Sequence, residues 1–180
     1  MLTAVGGLVA RNIYQPAPSS AATPPAAAPP PTTTSGAQVD PPGPPTVQLS
    51  IDAAASPYGS AVQQVLQKYY DAINAQDYEA WDSVVTASLA AANPKPTWTG
   101  AYSTTKDGGM YVYRIDAAPN SALRVLLSFT STQSIDKAPP FAPYTCINWH
   151  SVLPLVRQDG GWRVDYGSNG QHPPTTQCQN

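Results

Sequence analysis

Charge is scarce in this sequence. Nine basic and eleven acidic side chains among 180 residues make 11% charged, with a formal net charge of -2. Such a balance lacks the basic footprint of a nucleic-acid binder. No run of about twenty apolar residues occurs, so the sequence contains no complete membrane span. No G-x-S-x-G elbow is present, which leaves acyl transfer without a recognisable nucleophile. No phosphate-binding or dinucleotide glycine pattern occurs either, and Gly167-Ser168-Asn169-Gly170 reads as a turn. With two histidines and two cysteines, metal chemistry has few ligands to draw on. Cys146, His150, His172 and Cys178 form a C-x3-H and H-x5-C inventory that matches no usual zinc spacing. No metal and no cofactor is expected.

What is abundant is proline, and it is unevenly placed. Of 21 prolines, eleven precede Thr46, in a stretch whose charged residues are Arg11 and Asp40. The sequence divides into three parts on this basis. Residues 1–12 are mainly apolar up to Arg11, too short for a membrane span. Three readings stay open for them: the outer end of a membrane anchor that begins further upstream, a minimal signal-like segment, or an apolar tail. Residues 13–55 are rich in Pro, Ala and Thr, with too few large apolar side chains to offset the entropy of ordering. They are expected to form a disordered stalk, or an ordinary disordered tail. In polyproline II, roughly 35 residues at about 3.1 Å each reach on the order of 100 Å. The folding unit is expected over 56–180.

Within that unit, Tyr58, Val62, Val65, Leu66, Tyr69 and Ile73 recur at helical spacing. A helix is predicted over 60–75, opened by a Ser60–Gln63 capping box. Asp77 can cap a second helix over 78–91, whose stripe is Tyr78, Trp81, Val84, Val85 and Leu89. Asn93-Pro94-Lys95-Pro96 should stop it. Strands are predicted for 97–105, 110–115, 123–132 and 144–158, with Lys106-Asp107-Gly108-Gly109 as a turn. Pro154 implies a bulge or an edge in the last of these. Asp159-Gly160 signals a tight hairpin into Gly161–Tyr166, where Trp162, Val164 and Tyr166 alternate with Arg163 and Asp165. Helices first and antiparallel strands after them is an α+β pattern. Cys146 and Cys178 suit one disulfide in an oxidising compartment, where it would tie down the polar tail 171–180.

Two stretches resemble the nuclear transport factor 2-like superfamily. One runs from Val65 to Trp81 (VLQKYYDAINAQDYEAW) and is similar to its first helix, helix break and second helix. The other, Leu155 to Val164 (LVRQDGGWRV), is similar to its final hairpin. The resemblance covers about 56–166. It implies helices packed in a curved antiparallel sheet, a cone-shaped half-barrel, here preceded by the disordered Pro/Ala-rich segment. The stalk and late disulfide resemble exported, membrane-tethered actinobacterial members. An extracytoplasmic location, secreted or anchored in the cell envelope, is therefore expected.

The superfamily holds enzymes and binding modules alike, so the fold alone supplies no function. Tyr69 falls where the isomerase branch has its donor tyrosine. The base of that branch would lie in 86–96 (TASLAAANPKP), which has no Asp, Glu or His. Tyr69 then reads as a core residue. His150 beside Trp149, with Asp116, is the remaining candidate pair for lyase or isomerase chemistry. Tyr69, Trp81, Tyr111, Tyr113 and Trp149 are candidates to line a pocket, although aromatics also favour strands for packing alone. The expectation is a non-enzymatic module that binds a membrane or cell-envelope protein or a small apolar ligand. The alternatives are a SnoaL-like lyase or isomerase using His150, and a structural homodimer formed through the open sheet face.

Overall fold

Helices precede every strand but the first of a mainly antiparallel sheet in a computed structural model that describes residues 42–165 and 172–179. The expected segment 1–12, the stalk up to residue 41, Tyr166 and the turn 167–170 lie outside the described residues. The helices are α1 (Ile51–Ala55), α2 (Gly59–Ala75), α3 (Tyr78–Asp82), α4 (Ala87–Ala92) and α5 (Lys95–Tyr102). The strands are β1 (Gln48–Leu49), β2 (Lys106–Ala118), β3 (Ala122–Thr132), β4 (Cys146–Gln158), β5 (Gly161–Val164) and β6 (Thr175–Gln177). They form one curved, open sheet in the order β1-β2-β3-β4-β5, with β6 also on β4. The pair β1–β2 is parallel and the others are antiparallel.

The α2 stripe forms the middle of the core. Val62, Leu66 and Ile73 are buried in one cluster with Val112 of β2, Val125 and Leu127 of β3, and Leu155 of β4. In β3 the alternation decides the faces: Leu123, Val125 and Leu127 point in, while Arg124 is exposed. Burying such apolar side chains contributes about 1.5–3 kcal/mol each. Asp77 caps α3 as expected, accepting from the Ala80 N–H at 3.0 Å. Asp159 and Gly160 both take positive φ in the β4–β5 turn, the backbone that a tight two-residue hairpin requires. Cys146 and Cys178 form a disulfide, and β6 pairs with Ile147–Trp149 beside it.

Five local expectations need correction. The disordered stretch was expected to run to residue 55, yet β1 and α1 lie within it. Tertiary hydrogen bonds order this end. The Gln67 side chain accepts from the Val47 N–H and donates to the Pro45 carbonyl, while Gln63 donates to the Val47 carbonyl. That use of Gln63 explains the second correction. The Ser60–Gln63 capping box does not form, because α2 begins one residue earlier and Ser60 instead accepts from Gln64.

Third, the second helix is broken into α3 and α4. Between them Val85 makes a bridge to Val164, and Thr86 donates its N–H to the Val164 carbonyl at 2.9 Å. Trp81, Val84, Val85 and Leu89 are buried as the stripe implied, but the sheet edge captures the backbone. Fourth, residues 97–105 were expected as a strand and instead supply most of α5. Pro96 fits the first turn of a helix, where the missing N–H has no intrahelical partner to lose. Trp98 is then buried against Trp81 at 5.4 Å and Tyr102 at 5.1 Å between ring centroids. Packing overrides the β propensity of this stretch.

Fifth, Lys106-Asp107-Gly108-Gly109 is not a turn but the start of β2. The glycines serve a bulge, with a register shift between Gly108 and Tyr111; a second shift follows between Val112 and Arg114. A Cβ on Gly108 would stand 2.5 Å from the Gly43 carbonyl oxygen, so the close approach of two backbones requires glycine there. Pro154 pairs with Arg124 on one side, and on the other its carbonyl accepts from the Asp165 N–H just beyond the last β5 ladder pair, so its missing N–H falls where that ladder has ended.

Candidate functional site

A cavity of about 420 Å3 lies between the sheet and helices α2 and α5. Five aromatic side chains line it: Tyr69 and Tyr70 from α2, Tyr102 from α5, Phe129 from β3 and Trp149 from β4. These rings brace each other. Tyr69 and Tyr70 meet edge to face at 5.3 Å, Tyr70 leans on Phe129 at 5.1 Å, and Phe129 lies nearly parallel to Trp149 at 5.8 Å. Such contacts add about 0.5–1.5 kcal/mol per pair beyond burial. The loop after β3 contributes Lys137, Pro139 and Pro140, and the segment before β6 contributes Pro173. The disulfide therefore bears on the cavity indirectly, by fastening the strand that follows this wall.

One corner of the cavity is polar. Asp107 lines it with only 4% of its surface exposed. The Asn74 side chain holds the backbone there. Its Oδ1 accepts from the Asp107 N–H at 2.7 Å and its Nδ2 donates to the Asp107 carbonyl at 2.9 Å. Asn74 thus pins the end of α2 to the start of β2. The Ser131 hydroxyl, across the β2–β3 pair, donates to Asp107 Oδ1. Burial disfavours the charged carboxylate and pushes its pKa from 3.8 up to about 7, against the opposing pull of the Ser131 hydrogen bond. No salt bridge among the described residues includes Asp107.

The candidates from the sequence divide between faces. Tyr69 and Trp149 line the cavity, and Tyr69 also belongs to the core, 6% exposed. Trp81 is buried in the core against Tyr78 and Trp98 and does not line the cavity. Tyr111 and Tyr113 alternate with buried Met110 and Val112, so they face the other side of the sheet. There their rings meet at 5.0 Å, and the Tyr113 hydroxyl lies 2.9 Å from Ser128 Oγ.

His150 and Asp116 do not converge. His150 is exposed and stands opposite Ser128. Asp116 stands opposite Arg124, which in turn pairs with Pro154, four positions along β4 from His150. At about 3.3 Å per residue, that offset alone is roughly 13 Å. Asp116 is occupied by Arg114 in an ion pair at 2.9 Å. The two groups share no substrate position, and neither lines the aromatic cavity.

Asp107 was not among the sequence candidates, because its context resembles a turn. A Lys-Asp-Gly-Gly run carries no mark that separates a bulged strand from a hairpin loop. The available signal was indirect: an acidic residue in a sparsely charged domain, directly before a β-rich run. Among the described residues no group of three or more His, Cys, Asp or Glu side chains is arranged to hold a metal.

No protein-family model matches this chain, and no curated protein matches it. No helix among the described residues is long and apolar enough to cross a membrane.

Proposed function

We propose that this chain is a non-enzymatic, extracytoplasmic binding module of the nuclear transport factor 2-like class that takes a small, mainly apolar ligand. The observation that carries the reading is the cavity of about 420 Å3, lined by five aromatic side chains among other mainly apolar surface and bearing a buried polar corner. A concave apolar site with a few polar groups to fix orientation is the common form of a small-molecule site. The order of α2, the break at Gln76–Asp77, α3 and the final β4–β5 hairpin supports the class. The Cys146–Cys178 disulfide supports an exported location, because such bonds persist in oxidising compartments. The lyase or isomerase alternative based on His150 and Asp116 gains no support from their positions.

Isothermal titration calorimetry of the full chain with 1-octanol tests the reading. Saturable binding is expected. Ala101 is exposed yet lines the cavity, so A101W fills space there without displacing a buried side chain. Loss of binding in A101W, with an unchanged unfolding midpoint, is the expected result. Absence of saturable binding to the parent chain, or undiminished binding to A101W, refutes the reading.

A further inference from the structure

We propose that the cavity selects an organic cation: an amphiphile whose apolar body lies among the aromatic rings and whose ammonium group reaches the Asp107 carboxylate. This rests on the ligand-binding reading above and adds the chemistry of the ligand. Three observations carry it.

The first is an acid without a countercharge. Asp107 is almost completely buried, lines the cavity, and accepts a hydrogen bond from the Ser131 hydroxyl. A desolvated carboxylate is costly unless a cation meets it. The described residues place none in salt-bridge contact with it. A ligand ammonium supplies what the protein leaves out.

The second is the nature of the walls. Aromatic faces attract cations through their quadrupole, most strongly where water is excluded. Tyr70, Phe129 and Trp149 form a continuous braced surface in the same cavity as the carboxylate. Aliphatic walls would hold an apolar tail equally well but would do nothing for the charge.

The third is the surrounding charge. On Asp107's own strand, Lys106 is exposed and donates its ammonium to the Asn74 carbonyl. Helix α2 presents Tyr69, Tyr70 and the neutral Asn74, and α5 presents Tyr102. Strands β3 and β4 present uncharged side chains, among them Ser131 and Trp149. The loop after β3 presents Lys137, which is solvated and paired with Asp136 at 3.7 Å. The charged residues lining the cavity are thus a solvated, partnered lysine and a buried aspartate outside any described ion pair. The buried charge repels an anion and stabilises a cation.

The pairing has a pH signature. The ligand cation needs the ionised form of Asp107, whose pKa is about 7 in the protein alone. Affinity therefore rises with pH through neutrality. At about pH 5.5 roughly 3% of the carboxyl is ionised, so binding weakens by roughly thirtyfold relative to about pH 8.5. A primary alkylamine keeps its charge across this range, with a pKa near that of lysine at about 10.4.

The experiment compares octylamine with 1-octanol, which carry the same tail, by calorimetry on the full chain at both pH values. Octylamine is expected to bind at least about tenfold tighter than 1-octanol at the higher pH, and to lose that advantage at the lower one. D107N should abolish the advantage of octylamine over 1-octanol at the higher pH, since its amide keeps the shape and can accept from Ser131 but carries no charge. S131A removes the donor that favours the charged form, so the pH midpoint for octylamine should move upward. If 1-octanol binds as tightly as octylamine at the higher pH, or octylamine binds more tightly at the lower pH, the cation inference fails while the cavity reading stands. If neither compound binds, both fail together.

Discussion

Replacing Asp107 by asparagine should stabilise the fold at neutral and alkaline pH. The size of the effect follows from the gap between the ordinary carboxyl pKa of 3.8 and the folded value of about 7. Between these values the unfolded chain has lost the Asp107 proton and the folded chain has kept it. The folded state then binds one more proton, so stability falls as pH rises, by about 1.36 kcal/mol per pH unit. Over roughly three pH units the loss is about 4 kcal/mol, fully developed above pH 7 and absent below 3.8. Relaxation and water entry around the carboxylate reduce this figure, so it is an upper bound. The amide of D107N does not ionise, and its oxygen can still accept from Ser131. Urea denaturation of both chains, followed by circular dichroism across this pH range, isolates the difference. Other carboxylates titrate in both chains and cancel. D107N should match the parent near about pH 4 and exceed it by about 1–4 kcal/mol near about pH 8. Parallel stability curves would show that Asp107 titrates normally and would remove the premise of an uncompensated buried acid.

Two further predictions concern the frame around the cavity. Replacing both cysteines, C146S with C178S, opens a loop of sequence separation 32 and should cost roughly 3–4 kcal/mol in the same denaturation assay. A loss below about 1 kcal/mol would mean that β6 holds itself in place without the bond. G108A drives a Cβ onto the Gly43 carbonyl, a backbone atom with little room to yield, and should cost about 1–3 kcal/mol. Hydrogen exchange gives a local readout, because the Gly109 N–H donates to the Pro44 carbonyl and should lose protection. Unchanged exchange at Gly109 would contradict the packing of 42–45 on the bulge.

The legible parts of the fold were those set by local period and by turn chemistry. The stripe from Val62 to Ile73 specifies α2 because 3.6-residue spacing leaves one burial face. Asp159-Gly160 specifies its hairpin because both positions need positive φ. Cys146 and Cys178 could pair only with each other within the chain. The misread parts share a different cause. Residues 97–105 look like a strand by composition, and most of them become helical because Trp98 completes a cluster with Trp81 and Tyr102. Lys106 to Gly109 look like a turn, and extend into β2 because the chain at Gly43 lies against them.

The site follows the same division. Sequence by itself determined an α+β domain, a single disulfide, and an aromatic-rich chain with little charge. Which aromatics share a cavity was decided by strand register, since a shift of one residue turns a side chain to the opposite face. Register sends Trp149 inward and Tyr113 and His150 outward. Tertiary structure alone gave Asp107 its chemistry. An aspartate in a solvated turn is an ordinary ionised carboxylate, whereas one held by Asn74 and packed between α2 and β3 is desolvated and titrates near neutrality.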